Sequence, residues 1–254
     1  MLFLSEIIVL TEEEKRRYSR QLMLFGEEVQ LKLKKSRVAI VGAGGLGSPV
    51  AYYLAAAGIG KLRLIDYDTV SLSNLNRQIL HWTSDIGKPK ILSAKEKLTK
   101  LNPNVKIEVI KDKLSEANYR KLLEGMDLII DALDNWQAKM LLNKACIRMK
   151  KPLIHAGVRG MYGQLLVIIP GKTPCLRCLI PSPETEIEKL PVFGTTPGVL
   201  GLIQVTEAFK LLTGYGEPLL NKLLIYDGYS LEFSYIDVTR NPNCPVCGEA
   251  PNEA

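Results

Sequence analysis

The sequence predicts an α/β fold: a doubly wound, mostly parallel sheet extended by antiparallel strands, with an N-terminal helical arm and a cysteine knuckle. Three observations predict it. Short apolar runs alternate with amphipathic stretches from Arg37 to His155, the pattern of parallel strands joined by helical crossovers. The run Gly42-Ala43-Gly44-Gly45-Leu46-Gly47 falls between the first such strand and its helix, which makes the unit Rossmann-like. Two C-x-x-C pairs, Cys175/Cys178 and Cys244/Cys247, lie far downstream. With 254 residues, 46% of them hydrophobic, the chain can bury one large core. The expected organisation is an arm over 1–30 and a single domain over 31–254 that includes the knuckles and a crossover loop over 181–197.

Thr11-x-x-Glu14 is a capping box that opens an amphipathic helix running towards Phe25 and Gly26. Arg37 to Val41 reads as a buried strand, Leu46 to Ala57 as a helix closed by Gly58, and Lys61 to Ile65 as a second strand ending at Asp66. Helices follow at Lys90 to Leu101, Glu116 to Leu123 and Gln137 to Met149, with strands at Val105 to Ile110, Asp127 to Ile130 and Pro152 to His155. After His155 glycine and proline bracket Gln164 to Ile169, and Leu223 to Tyr226 and Leu231 to Val238 read as further, antiparallel strands. The loop Pro181 to Pro197, rich in proline and acidic residues, leads into a helix from Gly198 to Leu212 stopped by Gly214.

The bulk numbers narrow the function. Met1 to Leu10 is apolar but has no basic leader and contains Glu6, so it makes a poor signal peptide, and no apolar run reaches the 18 residues of a membrane span. A cytoplasmic protein is expected, with reduced thiols that hold metal rather than form disulfides. The net charge of +6 would suit an anionic partner. The basic residues are spread along the chain without an aromatic-interleaved tract, so they read as a solvated surface and give nucleic acid no support.

A glycine turn between strand and helix points backbone N–H groups at phosphate, and Asp66 can accept from a ribose hydroxyl. The spacing Gly42-x-Gly44-Gly45-x-Gly47 is a compressed relative of the dinucleotide fingerprint. The polar segment Asp66 to Gln78 then favours ATP over NAD. Arg77 offers a fork for bidentate phosphate contact, and Lys90 suits the first turn of a helix poorly unless an anion is near, whereas Lys88 reads as a surface charge. In Asp131-Ala-Leu-Asp134-Asn135, Asp134 is the candidate Mg²⁺ ligand, with helix capping by Asp134 or Asn135 as the alternative; for Asp131 the cap is the preferred reading. Cys175, Cys178, Cys244 and Cys247 have the spacing of a closed structural Zn²⁺ site. Cys146 reads as a buried small hydrophobe, His155 as packed and hydrogen-bonded, and His81 as a contact behind the site.

Arg17-Tyr-Ser-Arg20-Gln21, the glycine turn, Asp66 to Gln78, Gly87 to Lys90, Asp131 to Asn135 and both cysteine pairs occur in this order in one family. From about Leu10 to Gly248 the chain resembles the adenylyltransferases of the ubiquitin-activating-like superfamily, and is most similar there to the molybdopterin-synthase and thiamine-biosynthesis sulfur-carrier adenylyltransferases. The resemblance implies activation, with ATP and Mg²⁺, of the C-terminal glycine carboxylate of a small ubiquitin-like sulfur carrier ending in Gly-Gly, giving an acyl-adenylate and pyrophosphate. It implies that Gly45 lies near the nucleotide, that Asp66 holds the ribose, that Ser73, Asn74, Arg77 and Lys90 grip the phosphates, and that Asp134 and Asn135 contact Mg²⁺ or nucleotide. It also implies that Arg20 enters a partner subunit's site in a homodimer. Relatives that go beyond adenylation carry a cysteine in the crossover loop; 181–197 has none, so the reaction is expected to stop at the acyl-adenylate. No sulfurtransferase domain is expected after Cys247. The alternatives are an NAD-dependent oxidoreductase, adenylation of a modified tRNA base, and, last, a nucleotide-free scaffold for a ubiquitin-like protein.

Overall fold

The computed structural model describes residues 8–181 and 190–248. Its centre is β1 (Arg37–Val41), whose side chains are buried on both faces: Val38 and Ile40 enter one core, Ala39 and Val41 the other. A strand with no wet face needs helices on both sides, and the chain supplies them. β2 (Lys61–Ile65) and β3 (Lys106–Ile110) extend the sheet to one side of β1, and β4 (Leu128–Asp131) and β5 (Leu153–Arg159) to the other, all parallel. β6 (Tyr162–Ile168), β7 (Lys222–Asp227) and β8 (Glu232–Asp237) then add antiparallel, in the order β3-β2-β1-β4-β5-β6-β7-β8. The expected α/β class is therefore observed, antiparallel extension included.

One core lies under α3 (Gly47–Ala57), α4 (Lys90–Leu101) and α8 (Thr195–Thr213). The other lies under α5 (Tyr119–Leu123), α6 (Trp136–Arg148) and the short α7 (Leu176–Leu179), and includes Cys146, Cys175, Cys244 and Cys247. Several boundaries differ from the expected ones. The helix at Glu116 starts only at Tyr119, because the Asn118 side chain accepts from Ser115 N and spends that stretch on a turn. The strand at Pro152 continues to Arg159, because β5 and β6 form a hairpin whose turn is supplied by Gly160 at φ 62°. α8 begins at Thr195, inside the stretch assigned to the loop; residues 182–189 of that loop lie outside the described residues.

The arm is α1 (Glu12–Arg17) and α2 (Ser19–Lys35), broken at Tyr18 and at Gly26, whose φ of 77° no helix accommodates. The capping box is present, and buried Glu14 also takes the Lys34 amine at 2.6 Å, so the start of the arm is tied to the end of α2. Phe25 stacks on Phe209 of α8, and Gln21 and Gln30 both donate to the carbonyl of Ala57. Tyr18 completes the docking: its hydroxyl accepts from Asn102 at 2.8 Å and its ring covers Gly58, the left-handed cap of α3 at φ 84°.

A Cβ at Gly58 would collide with the Tyr18 ring. Gly58→Ala is expected to lower the unfolding free energy by about 1–3 kcal/mol, read from urea midpoints. Gly125→Ala, at a similar φ of 73° but with open space around it, serves as the control and loses less.

Candidate functional site

Where strand order reverses between β1 and β4, the chains leaving the two strands diverge and open a cleft at the carboxyl edge of the sheet. The cleft measures about 1530 Å³ and gathers most of the residues singled out above: Gly42, Gly44, Gly45, Asp66, Ser73, Asn74, Arg77, Lys90, Asp134 and Asn135. Gly42, at φ 104°, must be glycine because a Cβ would strike the carbonyl of Ala132 beyond β4. Gly47 does not line the cleft; a Cβ there would strike the carbonyl of Gly42, so this glycine packs the helix on the turn.

The turn is clamped from two sides. Asp66 Oδ2 accepts from Ala43 N at 2.7 Å, and its Oδ1 from Asp68 N at 2.8 Å. His81 Nε2 donates to the Ala43 carbonyl at 3.0 Å, while its Nδ1 meets Ser93 Oγ at 2.9 Å. Behind them buried Asp85 binds Lys97, Ser93 and Trp82 N. Burial alone would raise the Asp85 carboxyl, but these donors, Lys97 first, hold it far below the usual carboxylate range. Among the described residues the N–H groups of Gly44, Gly45 and Leu46 have no acceptor, so the turn and the start of α3 present three free donors to the cleft.

Arg77 is half-buried and donates only to Ser73 O at 2.9 Å and Asn76 Oδ1 at 3.0 Å; among the described residues no carboxylate pairs with it. Lys90 is buried at the start of α4, and the anion its position calls for is Asp68, at 2.9 Å. The Asn74 side-chain carbonyl accepts from Ser71 N at 3.1 Å, which leaves its amide to the cleft.

At the opposite rim Asn135 caps α6 by accepting from Ala138 N at 2.9 Å. Asp134 is exposed beside it, its carboxylate accepting only from Asn135 at 3.3 Å among the described residues. Asp131, expected as a cap, is corrected: it is the last residue of β4, wholly buried, four residues short of the cap position. Its carboxylate accepts from Lys139 at 3.1 and 3.2 Å, from His155 Nδ1 at 2.7 Å and from Leu133 N at 3.0 Å. Burial pushes that carboxyl up, but the Lys139 charge and the His155 bond outweigh it and keep it ionised; burial keeps His155 neutral. Lys139 lines the cleft and was not singled out in the sequence. Its signal was there, since Leu142 and Cys146 lie three and seven residues on, placing a lysine on the apolar face of a helix.

The returning part of the crossover loop closes one side. Gly160 donates to Pro191 O at 2.7 Å and accepts from Phe193 N at 3.1 Å, and a Cβ at Gly45 would lie 3.2 Å from Pro197. Leu190, Val192 and Pro197 thus form a wall opposite Gly157, Gly163 and Gln164. Arg20 is exposed on α2 and does not line the cleft.

The four cysteines of the two pairs converge on the far side of α6. Cys175 and Cys244 sulfurs lie 3.7 Å apart, Cys178 and Cys247 sulfurs 3.3 Å, and all four within 4.8 Å of one another. A tetrahedral Zn²⁺ with bonds of about 2.3 Å needs sulfurs about 3.8 Å apart, so the donor set fits that ion in number, type and spacing. Cys146 is fully buried on α6, where burial pushes its thiol well above the usual range. No described helix is long and apolar enough to cross a membrane.

Comparison with known proteins agrees with this fold. The sequence model of the ThiF family matches residues 18–246. The chain is 41% identical over 255 residues to a sulfur carrier protein adenylyltransferase of Thermus thermophilus, covering 96% of this chain and 94% of the relative. It is 42% identical over 249 residues to the heterocyst protein HesA of Trichormus variabilis, covering 96% and 93%. Among solved structures, E. coli MccB with MccA-N7isoASN superposes with a TM-score of 0.84 at 29% identity, covering 92% of this chain and 75% of that one.

Two buried neutral histidines give the fold a pH dependence of definite sign. Burial lowers the pKa of both His81 and His155, so between pH 6.5 and their lower folded values the unfolded chain binds protons that the folded chain refuses. Stability is therefore complete above about pH 6.5 and falls below it, by at most about 1.4 kcal/mol per pH unit for each ring. Asp85 and Asp131, whose pKa values are also lowered, add a further loss only below about pH 4. Urea midpoints between about pH 7.5 and 5.5 check this; His155→Asn should flatten the slope by about half, since it removes one of two titrating rings.

Proposed function

We propose, for a chain that belongs to the ThiF family, that the cleft binds ATP and transfers its adenylyl group to the C-terminal glycine carboxylate of a small ubiquitin-like sulfur-carrier protein, releasing pyrophosphate. The observation that carries the reading is the union, in one cleft, of three free backbone donors at Gly44 to Leu46 with Arg77, a cation that no described carboxylate neutralises. These donors, the backbone N–H groups without an acceptor and Arg77 without a carboxylate among the described residues, are placed to receive an anion.

The chemistry asks for little else. A peptide carboxylate has a pKa of about 3.5 and is already ionised at neutral pH, so its oxygen attacks the α-phosphorus without a base. No described residue lining the cleft is a histidine, and both histidines are buried. As the new O–P bond forms, the bond to the bridging oxygen breaks and pyrophosphate leaves with that electron pair. Arg77 and the Gly44 to Leu46 N–H groups take up the growing charge. Lys90 joins them by exchanging Asp68 for phosphate oxygen, and Asp66 and Asn74 orient ribose and phosphate. Asp134 is the residue that would hold Mg²⁺, its carboxylate being engaged only by Asn135. Bound there, the ion would screen the triphosphate from the incoming carboxylate.

A diglycine tail would lie along Gly157 of β5 and Gly163 of β6, which line the cleft beside the returning loop. Zn²⁺ in the four-cysteine cluster would cross-link the C-terminal segment to the body of the fold. Arg20, exposed and outside its own cleft, completes the cleft of a second copy in a homodimer. The reaction ends at the acyl-adenylate, since 181–197 holds no cysteine and Cys146 is buried as an inert thiol. Five cysteines without a disulfide suit the cytoplasm.

ATP–pyrophosphate exchange tests the reaction: it should require Mg²⁺ and a carrier ending in Gly-Gly, and vanish when the last glycine is removed. Bound ATP without exchange on any diglycine carrier would sink the reading. Arg77→Met should lower exchange by about 100- to 1000-fold, the usual cost of one charge-stabilising group. Mixing two inactive variants, Arg20→Ala and Arg77→Met, tests the shared site. Random exchange in a two-fold dimer should restore about a quarter of the parent rate, and no recovery would assign Arg20 to its own cleft or to none.

A further inference from the structure

We propose that Asn143 is the outer hydrogen-bond donor to the Cys175 thiolate of the metal-loaded cluster, and that it ties metal occupancy to the cleft through α6. The inference rests on the reading of the four cysteines as a metal site. Asn143 is wholly buried in α6, and its Oδ1 accepts from Leu176 N at 3.0 Å. Because that N–H is a donor, the oxygen and nitrogen of the carboxamide are assigned by chemistry. The Nδ2 group is then left buried with no acceptor in hydrogen-bond geometry. Such an orphan donor is costly unless it serves a group that changes its charge.

The group beside it is Cys175, the residue before Leu176. Cys175 is wholly buried and, among the described residues, its sulfur is in hydrogen-bond contact only with the Cys244 sulfur, at 3.7 Å, whereas Cys178 Sγ already accepts Asn241 N at 3.5 Å. A thiolate bound to metal keeps lone pairs that an N–H donor stabilises, so loading gives the orphan amide its partner. One turn earlier on the same face, Lys139 binds Asp131 and the Ala156 carbonyl at 2.7 Å. A single helix face is thus bolted at one end to the cleft and at the other to the cluster.

The test uses the zinc-loaded full chain and two substitutions. Asn143→Asp keeps an oxygen for Leu176 N–H but replaces the donor with an oxygen; Asn143→Leu removes both. Zinc transfer to a chromophoric chelator is followed alongside circular dichroism and the thiolate-to-metal absorption of the Co²⁺-substituted protein. Asn143→Asp is expected to lower zinc affinity by about 10- to 100-fold and to shift the Co²⁺ band. Zinc retention by Asn143→Asp equal to the parent's, with loss only in Asn143→Leu, would overturn the proposal and leave Asn143 as an acceptor for Leu176 alone. Should both variants fail to fold, hydrogen exchange on the parent decides: stripping zinc should speed exchange in 136–148, and unchanged exchange there overturns the coupling. A purified parent without zinc by elemental analysis would instead remove the metal reading itself.

Discussion

The buried carboxylate of Asp131 is the constraint around which the functional side of the molecule is arranged. A charge placed at the end of a central strand, with no solvent, costs several kcal/mol unless it is paired and hydrogen-bonded. Lys139, His155 and Leu133 N supply those partners from α6, β5 and the chain after β4. Gln204 of α8 adds bonds to the carbonyls of Asp131 and Ile154, so the opposite layer is held to the same point. An ion pair of this kind contributes little net stability compared with apolar packing, but it admits only one arrangement of its partners. That arrangement sets the angle at which α6 leaves the sheet, and with it the places of Asn135 and Asp134 at the rim.

Across the cleft the glycine turn is governed by the same logic with neutral groups. The Ala43 peptide is held at its N–H by Asp66 and at its carbonyl by His81, so neither end can rotate. The free N–H groups that follow are therefore aimed before any ligand arrives, and binding does not have to bear the cost of ordering them. His81 owes its position to Ser93, Asp85 and Lys97 on the first turns of α4 and the segment before it. A network that touches no ligand thus carries the geometry of the turn.

The two halves of the cleft differ in character. The half against β1 and β2 presents backbone donors, Arg77 and Lys90, whereas the half against β6 and β7 presents Gly157, Gly163, Tyr162 and Ile225. The first suits a polyanion, and the second, which Arg159 also lines, an extended chain of small side chains. The antiparallel strands β6 to β8 make that second half possible, because they carry the sheet beyond the nucleotide-binding core and give the returning loop at Leu190 to Pro197 something to lie against. The four cysteines bring Cys244 and Cys247 of the C-terminal segment beside Cys175 and Cys178, in the core layer of α6 and α7.

Period and punctuation made the fold legible in the sequence. Five apolar runs too short for helices, the first four each followed by a helical stretch, leave few arrangements other than a parallel sheet, and the glycine turn with Asp66 marks which strand is central. The cysteine spacing announced its own cluster, since a C-x-x-C pair is a local motif that needs only one partner pair to close it. What depended on contacts between distant segments stayed hidden. Nothing near Asp131 in the chain shows that residues eight and twenty-four positions on will hydrogen-bond its carboxylate, so local sequence points instead to the nearby cap that Asn135 turns out to be. The anion that Lys90 needs was inferred, but its identity as Asp68 follows from the approach of two loops. The order of the elements and the chemistry of the donors are written in local residue type and spacing, and can be read before the chain folds. Which charges are cancelled and which, like Arg77, meet no carboxylate among the described residues follows from the packing of distant segments, because pairing energies depend on distance and burial, and neither exists before the chain folds.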